Sequence, residues 1–249
     1  MVKHPNPSLN TTAVDGRALV DLGETGVANT QTAETLGTST SLRLYIDGSV
    51  SHAGTPNMRE GYVVYLEDLL NKAIEKAREI IETKSPNLPN KDEVARQVGV
   101  GAVVYFDLHN ERIKDIDFHW DRALNFDGET GPYVQYTHAR CCSVLRKAAE
   151  MELPEVDYAG LEDDEAQHLL RLISRFPDVV KDAADKYEPS MITHAVTDIA
   201  QAYNKFYYEH RVLDAEPAVS AARVALTKAV KDVIKTGLWL IGVEAPERM

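Results

Sequence analysis

With 249 residues, 44% of them hydrophobic and 27% charged, the chain can bury one large core or two small ones and reads as soluble and globular. No apolar run reaches the ~18 residues of a membrane span, and residues 1–7 lack the apolar centre of a signal peptide, so the cytoplasm is the expected setting. A net charge of −12 excludes broad electrostatic attraction to nucleic acid and leaves room only for a local site of a few Arg, Lys and aromatic side chains.

Residues 1–54 are rich in Thr, Ser, Gly and Ala, and only the runs 18–22 and 42–46 pattern as short strands. Residues 1–61 are therefore expected to be a weakly structured α/β remnant, and 62–249 a helical domain. Residues 62–65 are β-prone. From Leu66 the period changes: Leu66, Leu69, Leu70, Ala73, Ile74, Ala77, Ile80 and Ile81 line one face of a helix of about five turns. Ser85-Pro86-Asn87-Leu88-Pro89 stops it. Asn90 is placed to cap the next helix, with Glu93 completing a capping box. That helix carries Val94, Val98, Val103, Val104 and Phe106. Gly99 and Gly101 weaken it, which calls for close packing against a neighbour.

A polar turn at 110–115 leads, through residues 117–120, to a short helix ending near Phe126. Thr130 then reads as an N-cap and Pro132 as a first-turn residue, starting a helix that runs to about Glu150. Tyr133, Tyr136 and Arg140 fall at i, i+3 and i+7, so one face holds two phenols and a guanidinium. Such a face can stack bases and bind phosphate or base edges; alternatively the helix buries both tyrosines and leaves Arg140 solvated. Helices are expected at 161–176, 177–187, 189–208 and 217–236, several beginning at proline. The fold class is mainly α, a helical bundle around one core.

Other chemistry is sparse. Cys141 and Cys142 are adjacent and read as partly buried thiols. The eight histidines are scattered without metal-ligand pairing on one helix face, so no metal is expected. Asp163, Asp164 and Glu165 read as a solvated helix start.

The stretch Gly128-Glu129-Thr130-Gly131-Pro132-Tyr133-Val134-Gln135-Tyr136-Thr137-His138-Ala139-Arg140 resembles the start of the anticodon-binding domain of arginyl-tRNA synthetases. Val98-Gly99-Val100-Gly101-Ala102-Val103-Val104 and Gly242-Val243-Glu244-Ala245-Pro246-Glu247-Arg248-Met249 are similar to the same family, in the same order. The resemblance covers roughly residues 62–249. It implies the C-terminal part of a class I synthetase: the end of the catalytic domain in 1–61, then a helical DALR-type domain whose anticodon-binding part is about 123–249. It implies tRNA, arginine-accepting, as partner, with contacts at Tyr133, Tyr136, Arg140, Tyr203 and Met249. Tyr207 and Tyr208 compete with Tyr203 for its position, and core packing is the alternative for all three.

Members of this family join arginine to ATP, with Mg, and then transfer it to tRNA. A His-x-Gly-His turn and a Lys-Met-Ser-Lys-type loop stabilise charge on the phosphates. The first has no counterpart, since His52-Ala53-Gly54-Thr55 lacks the final histidine and lies out of order. The second falls on residues 55–61, where Arg59 and Gly61 fit, but Thr55 stands at the lysine position and Asn57 at the serine position. Threonine cannot supply a cation, so the chain alone is expected to hold no catalytic residue and no cofactor. Three expectations follow: a tRNA-binding module, half of a split arginine–tRNA ligase with a separate catalytic chain, or a non-catalytic interaction module or inactive truncated product.

Overall fold

The computed structural model describes residues 66–114, 116 and 118–249, together with the backbone of 17–18, 42–44, 64–65 and 117. The loop expected at 55–61, with Thr55, Asn57, Arg59 and Gly61, lies outside the described residues. Two short antiparallel pairings come first. β1 (Arg17–Ala18) pairs with β3 (Val64–Tyr65), and β2 (Leu42–Leu44) pairs with β4 (Ile116–Phe118), in the register Leu42 to Phe118 and Leu44 to Ile116.

Seven α-helices follow among the described residues: α1 (Leu66–Lys84), α2 (Lys91–Leu108), α3 (Trp120–Ala123), α4 (Gly131–Ala148), α5 (Asp164–Lys186), α6 (Ser190–Glu209) and α7 (Pro217–Leu240). The apolar stripe of α1 faces α2, burying Leu69, Ala73, Ala77 and Ile81. Their backbones nearly touch: a Cβ on Gly99 would stand 2.6 Å from the backbone of Ile74. Gly101 and Gly131 do the same for α2 and α4, since a Cβ on Gly131 would lie 2.9 Å from the Gly101 carbonyl oxygen. α2 does begin after Asn90, but the expected capping box is absent. Asn90 sits in the left-handed region at φ 56° without a side-chain cap, and Glu93 turns instead to Arg96 and Gln97.

The core departs from the single cluster expected. A large cluster joins α2 and α4–α7 through residues such as Tyr105, Val134, Leu169, Val196, Phe206 and Leu238. Two smaller ones lie under α1–α3, around Ala77, Val98 and Leu124 and around Leu69, Val103 and Phe118. The reason is that α2 is buried on two sides. Val94, Val98 and Ala102 face one cluster, while the Tyr105 hydroxyl donates to the Thr193 carbonyl of α6 at 2.7 Å.

The expected helices at 161–176 and 177–187 are one continuous helix, α5, with Pro177 inside it. Proline removes the N–H that would bond the Ile173 carbonyl. Pro177 is exposed, so water can take that carbonyl, and Phe176 and Ala183 hold both halves against the bundle. α7 runs four residues beyond its expected end and closes with a Schellman turn. The Val243 N–H bonds the Leu238 carbonyl, and Gly242, at φ 75°, bonds that of Trp239.

Candidate nucleic-acid interface

A cleft of about 960 Å³ opens between three parts of the chain: the 84–89 loop after α1, the outer face of α4, and residues 207–214 where α6 passes to α7. Lys84, Arg140, Arg146, Lys147, Arg211 and Arg248 line it, against one acidic side chain among the described residues, Asp214. In a chain of net charge −12 this concentrates positive charge in one concave place, where field lines focus. Tyr136, Tyr207 and Tyr208 face the same cleft, with 39%, 41% and 90% of their surface exposed.

The start of α4 sets the geometry. Thr130 caps the helix, its hydroxyl accepting from the Tyr133 N–H at 3.2 Å, and Pro132 occupies the first turn. From there the turn of the helix puts Tyr136 and Arg140 one turn apart on the cleft side. The Arg140 guanidinium lies over the rings of Tyr136 and Tyr207, 4.9 and 5.2 Å from their centroids. Such contacts hold a guanidinium plane against aromatic faces without neutralising it. Arg140 also donates to the Asn204 side-chain carbonyl, and Asn204 donates in turn to the Tyr133 hydroxyl at 2.9 Å and to Thr137 at 2.8 Å.

The residues after α7 form a strap that crosses α4. Buried Gln135 donates to the Glu244 carbonyl at 2.8 Å and to the Gln97 carbonyl at 3.0 Å. His138 Nδ1 pairs with the Pro246 carbonyl at 2.9 Å, so that nitrogen carries the proton. Burial holds the His138 pKa below its usual value, and the Pro246 carbonyl opposes this only in part. Arg146 donates to the Glu247 carbonyl, and Arg96 pairs with the Glu244 carboxylate at 2.6 Å. The strap delivers Met249 to the cleft edge, where it packs on the cluster around Ala77 and Val98.

The five side chains expected to contact tRNA are thus not alike. Tyr136, Arg140 and Met249 line the cleft. Tyr133 is half-buried against the core and reaches the site through Asn204. Tyr203 is fully buried, its hydroxyl turned to Thr227, so no base can stack on it. This corrects the expectation for that position: one turn on, Tyr207 holds the exposed place. Of the six cleft cations the sequence marks only Arg140 as a contact, and not Lys84, Arg146, Lys147, Arg211 or Arg248. Lys147 is seven residues after Arg140, and extending the i, i+3, i+7 face would have reached it. Nothing in the sequence marks the 84–89 loop as a cleft wall.

The acidic start of α5 is an ion-pair node rather than a solvated end. Asp163 meets Arg223 at 3.2 Å, and Glu165 meets Lys205 at 3.2 Å and His210 at 3.3 Å. Its own backbone N–H, Lys205 and His210 hold the Glu165 pKa down at about 2. Glu165, Glu209 and His210 bring ligand-type atoms within 4.8 Å of one another, but Lys205 already occupies one Glu165 oxygen. Both cysteines are buried, and burial pushes the Cys141 thiol up to about 12, far from a nucleophile's range. Among the described residues no helix is long and apolar enough to cross a membrane.

The family described as DALR anticodon binding domain matches residues 134–249, and the class I (R) tRNA synthetase catalytic domain matches residues 48–120. The arginine–tRNA ligase of Alkaliphilus metalliredigens is 51% identical over 203 residues, covering 81% of this chain and 36% of that protein. That of Clostridioides difficile is 50% identical over 196 residues, covering 79% and 35%. Among solved structures, the Thermus thermophilus arginyl-tRNA synthetase superposes with a TM-score of 0.70 at 36% identity, covering 75% of this chain and 32% of that one. The chain spans about a third of the length of these relatives. With a catalytic-domain match followed by an anticodon-domain match in one chain, the protein belongs with the arginyl-tRNA synthetases and corresponds to their C-terminal part.

Proposed function

We propose that the chain binds tRNA, arginine-accepting, through the cleft between α4, α6 and the 84–89 loop, and so serves the anticodon-reading step of arginyl-tRNA aminoacylation. The observation that carries this is the coincidence of six cations and three exposed tyrosines in one cleft of an acidic protein. Single-stranded loops are recognised by such pairs of means: aromatic faces stack splayed bases, while guanidinium groups reach phosphates and base edges. In this reading the chain does no chemistry on arginine or ATP itself, which falls to a separate catalytic chain. The helical domain is assigned to 62–249 and its anticodon-reading part to about 123–249.

Binding titrations with purified tRNA across a salt series test the reading. The chain should prefer arginine-accepting tRNA. If all six cations met phosphates of a single strand, the slope of log K against log salt would approach about −4, at ~0.7 per contact. Arg140→Ala and Tyr136→Ala should each weaken binding roughly ten- to hundredfold, a base contact or a stack being worth ~1–3 kcal/mol. Lys76→Ala, outside the cleft, should change little. Wild-type affinity in both cleft variants, with helix content intact, overturns the assignment.

A further inference from the structure

We propose that Asn204 is a positioning residue for selectivity: it holds the Arg140 guanidinium in the orientation from which it reads a base. The proposal rests on the cleft being the tRNA site.

An amide offers two N–H donors and a carbonyl. Asn204 spends one donor on the Tyr133 hydroxyl at 2.9 Å and the other on Thr137 at 2.8 Å, and its carbonyl accepts from Arg140. The Thr137 hydroxyl donates to the Tyr133 carbonyl of its own helix, so it can only accept from Asn204. These partners settle the amide orientation, with oxygen toward the guanidinium. With both donors committed to the protein and the carbonyl accepting from Arg140, Asn204 acts on RNA through Arg140.

The neutrality of this partner matters. Among the described residues no carboxylate pairs with Arg140, although many cations elsewhere in the chain have one. Arg140 is held by a neutral carbonyl and lies over the Tyr136 and Tyr207 rings. The arrangement restrains the fork and leaves its positive charge whole. A fork so restrained loses less freedom on making a two-point contact with a base edge, which favours the base that fits over those that do not. An unheld fork still attracts any phosphate.

Asn204→Ala should therefore weaken binding to arginine-accepting tRNA about tenfold while leaving an unrelated tRNA within about twofold, and the salt slope should stay that of the wild type, since no cation is lost. A variant that merely loosened the fold would weaken both tRNAs alike. Asn204→Asp places a carboxylate on the guanidinium and should flatten the salt slope by about one contact, ~0.7, for both tRNAs. In the Asn204→Ala, Arg140→Ala double variant the loss should equal that of Arg140→Ala alone, because one group acts through the other. If Asn204→Ala does not fold, Thr137→Val, which removes one of the two anchors, should show the same selective loss at smaller size. Unchanged discrimination in the folded variants, or losses that multiply in the double variant, overturns the proposal while leaving the cleft assignment standing. A wild-type chain that shows no preference between the two tRNAs overturns both.

Discussion

Tyr203 and Tyr207 stand one helical turn apart on α6 and have opposite fates. The Tyr203 ring fills the bundle core with no exposed surface, whereas Tyr207 is 41% exposed and stacks on Arg140. Tyr207→Ala should weaken tRNA binding about tenfold with little loss of stability, and Tyr203→Ala should cost about 3 kcal/mol or more of stability. Denaturant melts beside binding titrations separate the two, and an intact melt for Tyr203→Ala would contradict the burial. His138 carries a second prediction. Its folded pKa lies below the ordinary 6.5 because burial disfavours the charged ring. As pH falls below about 6.5 the unfolded chain takes up the proton first, so the stability held by the neutral ring is present above 6.5 and is lost progressively below it. His109, also lowered by burial and by His194, adds to the trend with the same sign. The melting temperature should drop between pH 7.5 and 5.5, and His138→Gln should flatten that drop; an equal slope in wild type and variant would exclude His138 as a source.

The helices themselves were readable wherever an apolar stripe and a local stop signal coincided. α1, α4 and α6 begin within a residue or two of their expected places, and the Thr130 cap with Pro132 in the first turn is as the sequence implied. Pro177 misled because proline's effect on a helix is decided by what surrounds it. Exposed, with apolar residues gripping the bundle on either side, it is accommodated rather than obeyed. The glycines were legible as a demand for close packing but not as to which neighbour. At Gly99 the neighbour is the backbone of Ile74, which cannot yield as a side-chain tip can. Gly99→Ala should gain helix propensity of up to ~1 kcal/mol yet destabilise the α1–α2 pair by a net ~1–3 kcal/mol, as overpacking does. A thermal melt equal to or above that of the wild type would show that the two helices have room to part.

Taken as one body, the protein carries a net charge of −12 and yet gathers six cations around a single cleft, so binding is expected to be local and salt-sensitive rather than diffuse. Arginine-dependent ATP–pyrophosphate exchange should be absent from the purified chain, because the resemblance puts Thr55 where the family uses lysine and no His-x-Gly-His turn is present in the sequence. Exchange that depends on Arg59 or His52 would overturn that expectation. The amino-acid order alone determined the helical class, the positions of most helix starts and the family to which residues 62–249 are similar, since periodicity, caps and long motifs are local properties of a chain. It could not say which tyrosine points outward on α6, that α2 is shared between separate clusters, or that the strap after α7 brings Met249 beside the 84–89 loop. Those depend on contacts between residues far apart in the chain, such as Gln135 with Glu244, Arg140 with Asn204 and Arg96 with Glu244. Only tertiary packing brings such partners together, because an exposed ring and a buried one obey the same local rules until a neighbouring helix covers one of them.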